Sequence, residues 1–157
     1  GVQTSHPESA RYLRRGYDRP VVDRAVKDLK AIGVTVVVHQ MLGLPGETPE
    51  MMAETARYIG QSGAEGVKLH LLHVLRNTDL AAEWQAGRVQ TLELEEYISI
   101  LELCLRNLPP EAVIHRLTGD GAKRDLLAPL WSGDKKRVLN AIHQAFLRDD
   151  LIQGSAL

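Results

Sequence analysis

Short apolar runs alternate along this chain with segments of helical periodicity, and this alternation is the feature that most constrains the fold. Residues 34–38 form a continuous run rich in β-branched side chains, which is typical of a strand buried on both faces. Residues 20–32 before it and 49–60 after it place apolar side chains at helical spacing, and a second strand is predicted at 66–75. Strands and helices in this order predict right-handed βαβ units with parallel strands.

The rest of the chain continues the same pattern. A short helix is predicted at 9–15, and the clearest helix begins at a cap on Thr91 and ends at Pro109. A short strand is predicted at 112–115, and Asp134 is predicted to cap the last helix.

Composition excludes several classes of function. The formal net charge of −1 provides no overall field that would attract nucleic acid or an anionic membrane. No apolar run reaches the roughly 20 residues of a membrane helix, and no signal peptide opens the chain, so we expect a cytoplasmic protein. The only cysteine is Cys104, and a single thiol cannot form an internal disulfide, a zinc site or a cluster site.

Polar side chains follow the predicted strands at the edge where α/β proteins bind ligands. They are residues 3–6 after the first strand, His39 and residues 43–47 after the second, and His70, His73 and Arg76 after the third. We expect His39 and His70 to meet at neighbouring strand ends. His70 and His73 are three residues apart on one predicted strand, so they should point to opposite faces and should not chelate one ion. Polar lining residues are a better interpretation than a metal site.

Two glycine loops each have two interpretations. Gly43-Leu44-Pro45-Gly46 either lets a flat ring such as adenine approach the main chain or forms a tight strand-to-helix turn, and the motif alone favours the turn. Residues 116–121 form either an anion-binding nest or a plain turn, with equal weight. The basic pair Arg14-Arg15 is either solvated or a carboxylate clamp. Cys104 is predicted to be a small core residue.

The motifs together resemble the second half of a radical S-adenosylmethionine (SAM) barrel. Gln3, Arg15 and residues 39–45 have a spacing similar to that in oxygen-independent coproporphyrinogen oxidases. A closer resemblance links the chain to a bacterial group of iron–sulfur oxidoreductases related to the catalytic subunit of Elongator. The segments that carry it cover nearly the whole chain and are residues 43–48, 68–75, 115–121, 128–131 and 138–140.

This resemblance implies an α/β fold, namely the C-terminal half of a partial (β/α)6 barrel with parallel strands plus C-terminal helices. Residues 1–5 would end its fourth strand, 34–42 would form the fifth and 66–75 the sixth. Residues 1–80 would complete the barrel half, and 81–157 would be a family-specific extension packed on it.

The resemblance also implies cofactors. Enzymes of this family hold a 4Fe–4S cluster with three thiolates and reductively cleave SAM to methionine and a 5′-deoxyadenosyl radical. Their cluster cysteines follow the first strand, and this chain contains no such motif. Because the chain begins with Gly1 at the end of a predicted strand, we expect it to be part of a longer protein, inactive alone, with the N-terminal half of the same protein as its partner.

Site residues are implied residue by residue. In the family, the residue matching Gln3 bonds the SAM ribose, and the one matching Arg15 binds the methionyl carboxylate. The residue matching His39 is an aspartate in the coproporphyrinogen enzymes, where it holds ribose hydroxyls; a histidine can donate or accept one such bond but not two at once. The implied cofactor-binding residues are Gln3, Arg15, His39, Gly43, Leu44, Pro45, Gly46 and His70. No catalytic residue and no metal ligand is assigned.

Two other functions remain open from the residues alone. One is a complete, non-catalytic nucleotide-binding half-barrel, and the other is a metal-independent enzyme that works through His39 and His70. Kinship with the Elongator subunit points to RNA as one class of substrate, with a small molecule as the alternative. The exposed edge of a half-barrel also predicts self-association.

Overall fold

A computed structural model describes residues 1–119 and 121–157. Helices are α1 (Pro7–Tyr12), α2 (Arg19–Ala31), α3 (Pro49–Gln61), α4 (Asp79–Gln85), α5 (Leu94–Arg106) and α6 (Lys135–Arg148). Strands are β1 (Val37–Leu42), β2 (Gly66–Leu71), β3 (Val74–Leu75), β4 (Val113–Arg116) and β5 (Leu126–Ala128). A short 3-10 helix spans Leu130–Gly133.

The main sheet is parallel and has the order β1-β2-β4. Its register pairs Val37 with Gly66 and Leu42 with Leu71. The first segment of the chain adds a single parallel bridge between Gln3 and Gln40. The prediction of an α/β fold with adjacent parallel strands is therefore confirmed.

The second predicted strand, residues 66–75, was wrong in its length. β2 ends at Leu71, the Leu72 amide donates to the Leu42 carbonyl at 2.9 Å, and β3 pairs antiparallel with β5 in a separate two-stranded sheet. His73 therefore lies between two strands, so the reason given for its orientation relative to His70 does not hold. β5 itself was not predicted from the sequence.

Two other element boundaries differ because of local hydrogen bonds. β1 begins at Val37 rather than Val34, because Gly33 has a φ of +78° and the Val34 amide donates back to Leu29 at 3.0 Å, which completes the end of α2. α5 begins after Glu93 rather than Thr91, because the Glu96 carboxylate accepts from the Glu93 amide at 2.9 Å in a capping box.

One face of the sheet is covered and the other is half exposed. α3 and α5 pack on the covered face, against Val38 and Leu42 of β1 and Leu69 of β2. α6, capped by Asp134 as predicted, packs on α5 in the same core. Of the helices in residues 1–119 and 121–157, none is long and apolar enough to cross a bilayer.

Candidate cofactor-binding site

The half-exposed face of the sheet carries alternate residues of β1 and β2. His39 lies opposite Lys68 and Met41 lies opposite His70, and each is less buried than the neighbours that point into the core. Strand alternation places all four on the side away from α3 and α5. We call this surface, formed by His39, Met41, Lys68 and His70, the inner face.

Two imidazoles stack on the inner face, as the sequence predicted. The ring centroids of His39 and His70 are 5.1 Å apart, and the ring planes differ by 16°. Burial, reinforced by the Lys68 charge, lowers the pKa of His39. Burial, reinforced by His39, lowers the pKa of His70. Both rings therefore favour the neutral form, and Nε2 of His70 is buried without a hydrogen-bond partner in the described residues.

Arg15 lies at the end of the first segment and holds its main chain. One terminal nitrogen donates to the carbonyls of Val2 and Thr4, the latter at 2.8 Å, and Nε donates to the Tyr17 carbonyl at 3.1 Å. The other terminal nitrogen has two N–H groups, and they find no partner within the described ranges. Arg15 thus holds the main chain of the first segment, whereas Arg14 lies at the surface in an exposed ion pair with Asp79.

The main chain of Gln3 is hydrogen-bonded to β1, beside the inner face. Its amide donates to the His39 carbonyl at 2.7 Å, and its carbonyl accepts from Met41 at 2.9 Å. Its φ of +56° turns the segment. With its amide nitrogen oriented towards Gly1, the Gln3 side chain donates to the Gly1 carbonyl at 2.7 Å, so it is folded back on its own segment.

The glycine loop after β1 is a tight turn, the interpretation that the residues favoured. The Glu47 amide donates to the Leu44 carbonyl at 3.1 Å, with Pro45 between them and Gly46 at a φ of +82°, which is the arrangement of a type II turn. The Thr4 hydroxyl donates to the Glu47 carboxylate at 2.5 Å and ties this loop to the end of the first segment. That contact had no signal in the sequence.

Gly43 and Gly46 differ in their surroundings. Gly43 is buried with a φ of +85°, and a Cβ there would lie 3.0 Å from Cδ1 of Leu92. A Cβ on Gly46 would meet nothing within 4 Å. Gly46 is therefore the position of this loop where a ligand has room to approach the main chain, while Gly43 serves packing.

Paired alanine substitutions separate these two roles. Gly46→Ala is expected to lower the free energy of unfolding by about 1–2 kcal/mol, because only the left-handed backbone is strained. Gly43→Ala is expected to lower the free energy of unfolding by about 1 kcal/mol more than Gly46→Ala does, because Leu92 must also move. Chemical denaturation of both variants measures the difference, and equal losses would contradict the assigned packing role of Gly43.

The second glycine loop packs around an imidazole. A Cβ on Gly119 would lie 2.5 Å from Cε1 of His73, and one on Gly121 would lie 3.2 Å from Cγ of the same ring. These glycines therefore let the loop approach His73, a contact that neither the nest nor the plain turn had included. Asp120, which was part of the predicted nest, lies outside the described residues.

Cys104 is a core residue, as predicted. It is 0% exposed, its sulfur lies 3.8 Å from the Gln40 amide nitrogen, and burial raises the pKa of its thiol to about 12. A thiol that stays protonated and buried is a poor metal ligand. The residues described also contain no group of three or more His, Cys, Asp or Glu side chains that could hold a metal ion.

Comparison with known proteins places two family matches along the chain. Residues 1–59 match the radical SAM superfamily, and residues 64–148 match the radical SAM C-terminal domain. YtqA of Bacillus subtilis (strain 168) is 34% identical over 98% of this chain and 48% of its own length. YhcC of Escherichia coli (strain K12) is 32% identical over 100% of this chain and 50% of its own length. The chain thus spans about half the length of these relatives.

A solved structure shows the same fold. The archaeal Methanocaldococcus infernus Elp3 with an N-terminal deletion superposes with a TM-score of 0.85 at 22% identity. The superposition covers 98% of this chain and 36% of that one.

Proposed function

The chain belongs to the radical SAM superfamily, and from this premise we propose that it is the second half of the barrel of a longer radical SAM enzyme. Residues 1–80 would complete the barrel, and residues 81–157 would be an extension packed on it. The full-length protein would be an iron–sulfur oxidoreductase, and this chain alone would be inactive. The two family matches and the half-length coverage of YtqA and YhcC support this proposal.

The observation that carries the proposal is the stacked histidine pair on the inner face of two neighbouring parallel strands. His70 lies one residue before the C-terminal end of β2, the edge where ligands of parallel α/β folds bind, and neutral imidazoles offer one donor and one acceptor each. In our proposal His39 makes one hydrogen bond to the SAM ribose. The main chain at Gly46 faces the adenine, and the remaining N–H groups of Arg15 receive the methionyl carboxylate.

The eight proposed cofactor-binding residues contribute unequally. Gln3 would act through its main chain unless its side chain turns away from Gly1. Gly43 and Leu44 are buried and would position the loop, while Pro45 and Gly46 form its turn. His70 would contact SAM from the second strand. In this proposal these residues would hold SAM.

A 4Fe–4S cluster does not fit the residues present. Three thiolates are needed in this family, and Cys104 is a single buried thiol. We therefore propose that the cluster ligands belong to the N-terminal half of the same protein, which would also cover the inner face. The substrate would be RNA, by kinship with the Elongator subunit, or a small molecule. Without its other half, the chain would self-associate through the open barrel edge.

Reductive cleavage of SAM tests the proposed function. The full-length protein, reconstituted anaerobically and reduced with dithionite, is expected to form 5′-deoxyadenosine and methionine in equal amounts. His39→Ala is expected to raise the KM for SAM by roughly two- to tenfold, the loss of one neutral hydrogen bond. His143→Ala, at an exposed position of α6, is the matched control and should leave KM unchanged. A reconstituted protein that forms no 5′-deoxyadenosine would refute the proposal.

A further inference from the structure

Lys68 is a positive charge in the middle of the inner face. It lies opposite His39 on β1 and opposite Arg116 on β4, and His70 follows two residues later on the same face. Within residues 1–119 and 121–157, no carboxylate lies within ion-pair distance of its ammonium group. The ammonium is therefore available to a ligand that approaches the inner face.

The inner face concentrates positive charge. Lys68 lies directly opposite Arg116 on the neighbouring strand, and a like-charge pair in this position does not stabilise a sheet. Lys68 and Arg116 both contribute to the lowered pKa of His39 and of His70, after burial as the largest cause. Lys68 itself has a charge that its strand pairing does not require. A cationic face in a chain of net charge −1 points to a ligand of opposite charge.

We propose that Lys68 and His70 form a subsite for a phosphate group of the substrate. The inference rests on the proposed function, since the inner face would line the cavity where the substrate binds. A lysine ammonium binds phosphate as a point charge, and the unpartnered Nε2 of His70 adds a directional contact. His39 stacks on His70 and stays available to the ribose of SAM. Nε2 of His70 would bind the phosphate, while stacking on His39 keeps the ring beside SAM.

The neutral histidines make phosphate binding detectable. A bound anion beside two imidazoles whose pKa values are lowered stabilises their protonated forms. Phosphate binding should therefore raise the pKa of His70 most, because its nitrogen would contact the anion. A carboxylate ligand would act in the same direction but carries less charge, so acetate separates the two chemistries.

Titration of the full-length, cluster-free protein with inorganic pyrophosphate tests the subsite. Calorimetry should give a dissociation constant that rises about fivefold or more in Lys68→Met, the loss of one partly solvated charge-assisted contact. Lys27→Met, on the exposed side of α2, is the matched control and should bind as the wild type does. NMR of labelled histidines should show a higher pKa for His70 with pyrophosphate and a smaller change with acetate.

Two results would overturn the subsite. One is equal pyrophosphate binding by Lys68→Met and Lys27→Met, and the other is a His70 pKa that pyrophosphate leaves unchanged. Because the titration needs neither the cluster nor SAM, failure of the subsite can be distinguished from failure of the proposed function. Cleavage of SAM without pyrophosphate binding would reject the phosphate subsite alone, whereas a protein that never cleaves SAM would reject the proposed function.

Discussion

Anaerobic incubation of the 157-residue chain with iron and sulfide is expected to produce no stoichiometric 4Fe–4S absorbance. Cys104 is the only thiol, it is 0% exposed, and burial raises its pKa to about 12. A cluster of the family type needs three thiolates. The full-length protein is therefore expected to form the cluster, and the isolated chain is expected to form none.

Cys104→Ala is the control for this experiment. Iron that associates weakly with surface groups should be the same in the wild-type chain and in Cys104→Ala, since the buried thiol takes no part. A stoichiometric cluster in the isolated chain, lost in Cys104→Ala, would show that Cys104 is a ligand. The assignment of all cluster ligands to another segment would then be wrong.

The second large effect is expected at Arg15. In the reconstituted full-length protein, Arg15→Ala should raise the dissociation constant for SAM roughly tenfold or more, the loss of a charge-assisted contact of about 1.5–3 kcal/mol. The same substitution also frees the carbonyls of Val2 and Thr4, so the end of the first segment should loosen. Calorimetric titration of SAM measures the binding, and thermal unfolding measures the structural part.

Arg14→Ala is the matched control, because it removes a neighbouring guanidinium. Arg14 pairs with Asp79 at 2.6 Å, but both side chains are largely exposed, and such pairs contribute about 0–1 kcal/mol. The affinity of Arg14→Ala for SAM should match that of the wild type. Unchanged SAM binding in Arg15→Ala would remove Arg15 from the cofactor site and leave it a purely structural role.

Much of the fold follows from apolar periodicity, because parallel strands and amphipathic helices each have a distinct repeat. The error in the second strand arose where a contact distant in sequence decides the outcome, whereas the boundaries of β1 and α5 shifted through local hydrogen bonds. Apolar side chains recur throughout residues 66–75, and no local signal in the sequence shows that the chain leaves the sheet after Leu71. The loop at Gly119 and Gly121 packs on His73, and that tertiary contact accompanies the break after Leu71.

Part of the candidate site could also be predicted from the sequence. His39 and His70 were predicted to meet at neighbouring strand ends; the rings do stack, but His39 lies in the middle of β1. The different surroundings of Gly43 and Gly46 could not be predicted, because they depend on Leu92, a residue far along the chain. Lys68 was not singled out from the sequence, because its position among the neighbouring charges is visible only in three dimensions.

The coding sequence upstream of Gly1 is the most direct test of the central claim, that this chain is the later half of a radical SAM barrel. We predict an open reading frame that continues in frame upstream and encodes three clustered cysteines after a predicted strand, the ligands that Cys104 cannot replace. A start codon immediately before Gly1, with no such segment, would contradict the claim. It would favour a complete nucleotide-binding half-barrel or a metal-independent enzyme.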